Sequence, residues 1–342
     1  MVLLRIGCYR SCYYAVKLFV IGLFLGVFSP CLGREWAQVT LSDSSTNMPA
    51  ATWSPNGSIA LLCLGPTVRR SVNFGVSWTQ VFLTPDGSSL YGIASRTITP
   101  NGITYHMAVD DARWTYASDG TGQRWGRVGE NLRAAAVLYG TSIGSNGFAF
   151  TVGASGCVRR ASYTDNFTSW TDYKVSTPTW YDVSTSDGIN VIIVGVGGAS
   201  YYSNSGGNSW FAGTTGTSYD IFCVSHANGS AVFAMAAGAN GYLSKTEDGG
   251  LTWTNMSAFP STYIARYKSI SVLSTTEAYV AAQSLSINPK GIIYRTLDGG
   301  SNWVVMSSVS NPLNSLSMYN SDYGVAGVTA GTVVYTLVAG EI

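Results

Sequence analysis

A pattern ending in tryptophan, Ser/Thr-x-Asp-x-Gly-x-x-Trp, recurs along this 342-residue chain and constrains its fold more than any other feature. It is complete at Thr246-Glu-Asp248-Gly-Gly250-Leu-Thr-Trp253 and at Thr296-Leu-Asp298-Gly-Gly300-Ser-Asn-Trp303. It is nearly complete at Ser71-Val-Asn73-Phe-Gly75-Val-Ser-Trp78 and Ser203-Asn-Ser-Gly-Gly207-Asn-Ser-Trp210, and looser in the stretch from Ser118 to Trp125. A degraded copy ends at Trp170, with Asp165 in the acidic position, Phe167 in place of glycine and the serine displaced to Ser162. These tryptophans lie 47, 45, 40, 43 and 50 residues apart, the period of a four-stranded propeller blade rather than of a helical solenoid. A seventh copy is split between the ends. Trp36-Ala-Gln-Val39 matches Trp78-Thr-Gln-Val81, the strand after a box, and Val333-Val-Tyr-Thr336 matches Ile293-Tyr-Arg-Thr296, the strand before one. Pairing the two would close a ring of seven blades over residues 34–342.

Each box has a local physical reading: a short acceptor side chain gathers the amides of a tight turn, glycine takes the positive φ, and tryptophan opens the outermost strand. Composition agrees with an all-β chain. Thirty-nine glycines suit short strands joined by turns, and nothing past residue 32 has the periodicity of a useful helix. Only 11% of residues are charged and the net charge is +1, which gives no field able to hold nucleic acid phosphates.

Residues 1–33 differ from the rest. Arg5, Arg10 and Lys17 precede an uncharged run, Leu18 to Phe28, followed by Pro30 and Cys31-Leu-Gly33, the layout of a secretory signal cleaved after Gly33. The alternative is a retained anchor over Tyr13 to Leu32 with Lys17 reaching the interface. Cleavage would leave a near-neutral chain with no membrane insertion, holding Cys63, Cys157 and Cys223 without any paired spacing. Asn56, Asn166, Asn228 and Asn255 head glycosylation sequons. The expected compartment is secretory: extracellular, or a thylakoid lumen in a photosynthetic source.

The boxes resemble Asp-box (BNR) repeats, and Gly291-Ile-Ile-Tyr-Arg-Thr-Leu-Asp-Gly-Gly-Ser-Asn-Trp303 is similar to repeats of the photosystem II stability and assembly factor family. The resemblance implies a single-domain, non-enzymatic lumenal propeller with an arginine-lined face. Sialidases, xyloglucan-type endoglucanases and sortilin-type receptors share the box, so it marks fold and not activity. A sialidase resemblance would also require a Phe-Arg-Ile-Pro segment, which is absent, and few glutamates are placed to serve it.

Candidate chemistry is sparse. Gly140-Thr-Ser-Ile-Gly144 has nucleophile-elbow spacing but leads into a turn and strand instead of a helix. His106 and His226 each stand alone, so neither a metal nor a cofactor is expected. A small-then-apolar signature aligns the innermost strands at Ala50-Ala51, Gly92-Ile93, Ala134-Ala135, Asp182-Val183, Asp220-Ile221, Ser269-Ile270 and Ser315-Leu316. In that alignment Asp182 and Asp220 become neighbouring channel carboxylates, weak candidates for glycoside hydrolysis, with water-filled-channel aspartates bonding backbone amides as the plainer reading. Arg70, Lys245 and Arg295 repeat just before boxes and could form a basic rim for an acidic protein loop. Trp180, beside Tyr181, Tyr201, Tyr202, Phe211 and Tyr219, is either a binding platform or core. The leading expectation is a monomeric interaction or assembly scaffold for a protein partner. The competing one is a carbohydrate-active protein, hydrolase or lectin, using the central face.

Overall fold

The computed structural model describes residues 35–41, 48–129, 136–256, 264–286 and 288–337. The expected signal segment over residues 1–33, the Ala134-Ala135 pair and the chain beyond residue 337 therefore lie outside the described residues. Those described form seven four-stranded sheets, each antiparallel, arranged as the blades of one propeller. Six blades are consecutive in sequence. In order, their innermost strands are β2 (Ala51–Trp53), β6 (Leu90–Thr97), β10 (Leu138–Ile143), β14 (Trp180–Thr185), β18 (Ile221–His226) and β22 (Ile264–Val272). The seventh consists of β26 (Leu313–Met318), β27 (Gly324–Val328), β28 (Thr332–Leu337) and β1 (Glu35–Thr40). In it Trp36 faces Thr336 and Val39 faces Val333, the closure expected from the split repeat.

Burial follows position in the blade. Second strands such as β15 (Val191–Gly195) and β19 (Ala234–Gly238) are buried along their whole length between neighbouring blades, which is why they read as unbroken small or apolar runs. Outer strands such as β17 (Phe211–Ala212) are exposed. The core is thus a set of inter-blade layers, for example Phe150, Val152, Trp180, Val183 and Ile193 between the third and fourth blades.

The box turns staple blades together. Thr246 Oγ1 accepts the amides of Asp248 at 3.4 Å and Gly250 at 2.9 Å, and Asp248 accepts that of Thr252 at 2.9 Å. Ser71, Ser203 and Thr296 repeat the glycine contact, to the amides of Gly75, Gly207 and Gly300, each at 2.9 Å. The Asn302 amide and side chain hold the Asp298 carboxyl down at about 2. Trp78, Trp125, Trp210 and Trp303 each donate their indole N–H to the glycine carbonyl three residues back. Gly75 has φ +92°, and a Cβ there would lie 2.8 Å from Tyr335 of the closing blade, so the position requires glycine for conformation and for contact. In the degraded copy Asp165 still accepts an amide, that of Ser169 at 3.0 Å, while Phe167 takes φ +59° and is buried.

Candidate functional site: the central channel

Six of the seven innermost strands carry a bulge, β2 being the exception among the described residues. Register shifts between Leu90 and Gly92, Leu138 and Gly140, Trp180 and Asp182, Ile221 and Cys223, Tyr267 and Ser269, and Leu313 and Ser315. A bulge leaves its extra residue unpaired and re-aims its side chain. In the second to sixth blades that residue is Tyr91, Tyr139, Tyr181, Phe222 and Lys268, and all five line a cavity of about 240 Å³ at one mouth of the channel. Their rings form a ladder: Tyr91 to Tyr139 at 5.5 Å and 78°, Tyr139 to Tyr181 at 5.8 Å and 67°, Tyr181 to Phe222 at 5.5 Å and 56°. Edge-to-face contacts of this kind are the favoured aromatic geometry. The Lys268 ammonium caps the ladder 4.8 Å from the Phe222 ring centroid.

One residue further in, the ring is small: Gly92, Gly140, Asp182, Cys223, Ser269 and Ser315. A Cβ on Gly140 would sit 2.9 Å from the Asp182 Cα, so adjacent inner strands approach too closely for larger residues. Asp182 is the exception and acts as a suture. Its Oδ1 accepts the Val183 amide and its Oδ2 the Val224 amide of the next blade, both at 2.9 Å. Burial pushes its carboxyl up to about 7, against the opposing pull of those two amides. Deeper still, Ser142, Ser184, Ser225 and Ser271 accept amides from Thr185, His226, Val272 and Met318 in the following blades, at 3.2, 2.9, 3.3 and 3.1 Å. Hydroxyl and carboxylate side chains thus satisfy amides that the open inner edges leave unpaired.

The expected site residues fall differently. Asp182 lies at the channel, but Asp220 is not its neighbour in register. Asp220 precedes β18, and its Oδ1 accepts the Gly197 amide at 2.8 Å; the equivalent of Asp182 in that blade is Cys223. In the third blade the equivalent is Gly140. The carboxylate pair is therefore corrected to one inter-blade suture and one loop acceptor.

Trp180 is fully buried, its indole N–H bound to the Val175 carbonyl at 3.0 Å, so it cannot serve as a platform. It occupies the position filled in other blades by buried Leu90, Leu138, Ile221, Tyr267 and Leu313. Arg70, Lys245 and Arg295 lie on third strands away from the channel. Arg70 donates to the Thr121 carbonyl in the next blade's turn, Lys245 pairs with Glu247 at 3.0 Å, and Arg295 pairs with Glu277 at 2.7 Å. All four sequon asparagines, Asn56, Asn166, Asn228 and Asn255, are exposed, and Cys63, Cys157 and Cys223 are free thiols. The aromatic ladder was missed, although Leu90-Tyr-Gly92, Leu138-Tyr-Gly140, Trp180-Tyr-Asp182 and Ile221-Phe-Cys223 repeat one triplet: apolar, aromatic, small.

No family model matches the chain, and no curated protein matches it in sequence. Solved structures of similar fold include YCF48 bound to a D1 peptide, at 14% identity and TM-score 0.67 over 89% of this chain and 97% of that one. YCF48 from Cyanidioschyzon merolae matches at 16% identity and TM-score 0.67, over 90% and 99%. Virginiamycin B lyase from Staphylococcus aureus, at 11% identity and TM-score 0.68 over 89% and 99%, has the same architecture. At these identities the likeness is one of fold: the chain is a seven-bladed, all-β propeller of four-stranded blades.

Proposed function

We propose that this chain is a non-enzymatic interaction propeller that binds a protein partner by seating a peptide segment on the aromatic channel mouth. The observation that carries the reading is the ladder from Tyr91 to Phe222, capped by Lys268. Four rings contributed by consecutive blades offer rigid, amphipathic contact area at low entropic cost, and phenolic hydroxyls at its edge can bond a peptide backbone. Tyr91 and, on the same face, Val196 and Tyr219 are 38%, 38% and 48% exposed, so the apolar surface extends past the cavity. The peptide bound to the similarly folded YCF48 favours the same mode here. It would also place this chain beside the assembly factors that its boxes resemble.

A secretory or lumenal address belongs to the proposal. Asn56, Asn166 and Asn228 lie on turns at the blade ends opposite the aromatic mouth, so glycans there would leave that mouth clear. The carbohydrate-active alternative rested on Trp180 and on an Asp182–Asp220 pair, and both have lost the geometry it required.

Selection from a displayed random-peptide library tests the reading. Binders enriched on the wild-type protein should be lost with Tyr139→Ala and Tyr181→Ala and kept with Lys245→Ala. Binders indifferent to both tyrosines, or enrichment on a glycan array in place of the library, would overturn it.

A further inference from the structure

The aromatic mouth is electrically lopsided. Two carboxylates act on its tyrosines, Asp111 on Tyr91 and Asp220 on Tyr181. Each uses an oxygen to hold the fold, Asp111 for the Ser89 amide at 3.0 Å and Asp220 for the Gly197 amide at 2.8 Å, so both are fixed in place. An anion seated over the tyrosines would meet charges of its own sign.

The other end belongs to Lys268, the bulge residue of the sixth blade. The register of β22 slips between Tyr267 and Ser269, and Lys268 lines the cavity while Tyr267 before it stays fully buried in the core. Among the described residues its ammonium forms no hydrogen bond and no ion pair; its contact is with the Phe222 ring, 4.8 Å away. The groups that act on it supply no negative charge. Arg266, exposed on the same strand, has the same sign, and the Cys223 thiol is pushed well above its ordinary range by burial and so stays neutral. Asp182, the one carboxylate lining the same cavity, has its two oxygens on the Val183 and Val224 amides. Burial and Arg266 together lower the Lys268 ammonium below the usual lysine range.

A half-buried cation without a counter-ion is a cost the fold carries unless something answers it. We propose, building on the peptide-binding reading, that the segment seated in the mouth bears a carboxylate held by Lys268 and runs from there across Phe222 and Tyr181 toward Tyr139 and Tyr91. The direction follows from the charges: acid at the Lys268 and Arg266 end, neutral or basic side chains at the end of Asp111 and Asp220. A lysine ammonium is a point charge on a flexible stem, so a chain-terminal carboxylate and an Asp or Glu side chain offer it the same chemistry.

Two displayed peptide libraries separate those sources, one ending in a free C-terminus and one with the random segment closed within a loop. Enrichment from the first alone assigns a terminal carboxylate; Asp or Glu enriched at one position in both assigns a side chain. Synthetic copies of the enriched peptides, each as the acid and as the matching carboxamide, are then titrated by fluorescence anisotropy against wild type, Lys268→Met and Lys268→Arg. Wild type should bind the carboxamide about tenfold more weakly than the acid, Lys268→Met should bind the two alike, and Lys268→Arg should restore the preference. Acid and carboxamide bound equally by wild type overturn the proposal whether or not the variants fold, and so does a preference for the acid that survives in Lys268→Met. In either case binders still lost with Tyr139→Ala and Tyr181→Ala leave the peptide-binding reading standing, whereas libraries that yield no binder overturn both.

Discussion

Replacing Asp182 by asparagine separates the cost of burying a carboxylate from the hydrogen bonds it makes. In the fold the Asp182 carboxyl ionises near 7, against about 4 for an unfolded chain, so between those values the folded state binds an extra proton. Stability from this residue is therefore complete below pH ~4 and declines as pH rises toward 7. At about 1.4 kcal/mol per pH unit the decline would reach roughly 4 kcal/mol, which the half-buried position of the side chain trims to about 2–3 kcal/mol. His226 works in the opposite direction. Its ring is held neutral, pushed down to about 4 from an ordinary value of about 6.5, so its contribution is present above pH ~6.5 and lost as pH falls. The wild-type profile is thus a sum of opposing slopes, and only a difference between proteins isolates Asp182. Asparagine keeps one acceptor for the Val183 and Val224 amides, as the protonated acid does. Urea unfolding followed by tryptophan fluorescence should give nearly equal stabilities at about pH 4 and an Asp182→Asn protein about 2–3 kcal/mol more stable than wild type at about pH 8. A difference that does not change with pH refutes the reasoning. So does a wild type that gains on the variant as pH rises, because the two amides would then be holding the carboxylate charged.

Two further outcomes follow from the blade architecture. Thr246→Ala leaves the Asp248 and Gly250 amides without their acceptor and should cost about 1–2 kcal/mol in thermal unfolding while peptide binding at the aromatic mouth stays unchanged. Deleting residues 333–342 removes most of β28, strands β1 and bares the edge of β27, so light scattering should show association and the melting temperature should fall. A monomer that melts like wild type would show that the ring does not depend on this closure.

The fold was legible because its markers are local. Thr246, Asp248, Gly250 and their counterparts act within one turn, through contacts that span two to four residues, so the same residue types must return wherever the turn returns. The closing pair of strands was legible for the same reason: each half carries its own fragment of the repeat. The channel was less so. Its ring is set by where β6, β10, β14, β18 and β22 shift register against their partners, a property of the pair of strands and not of either sequence. A small-then-apolar pair marks the right place in five blades. In the fifth blade Asp220-Ile221 imitates it three residues before Cys223-Val224, with the bulge residue Phe222 in between, and that slip made a loop aspartate look like a second channel carboxylate.

The basic residues went astray for a more general reason. Arg70, Lys245 and Arg295 repeat at one blade position, and repetition in a sparsely charged chain suggested recognition. In a closed ring, however, a repeated position meets a repeated neighbour before it meets any partner. Arg70 reaches the Thr121 carbonyl of the next turn, and Arg160 does the same at the Gly206 carbonyl, 2.6 Å away, in the blade that follows its own. Lys245 and Arg295 are answered instead by acidic residues of their own blades, Glu247 and Glu277. Among the described residues, the side chains that the repeat turns away from any such neighbour and toward the channel mouth are the bulge residues Tyr91, Tyr139, Tyr181, Phe222 and Lys268.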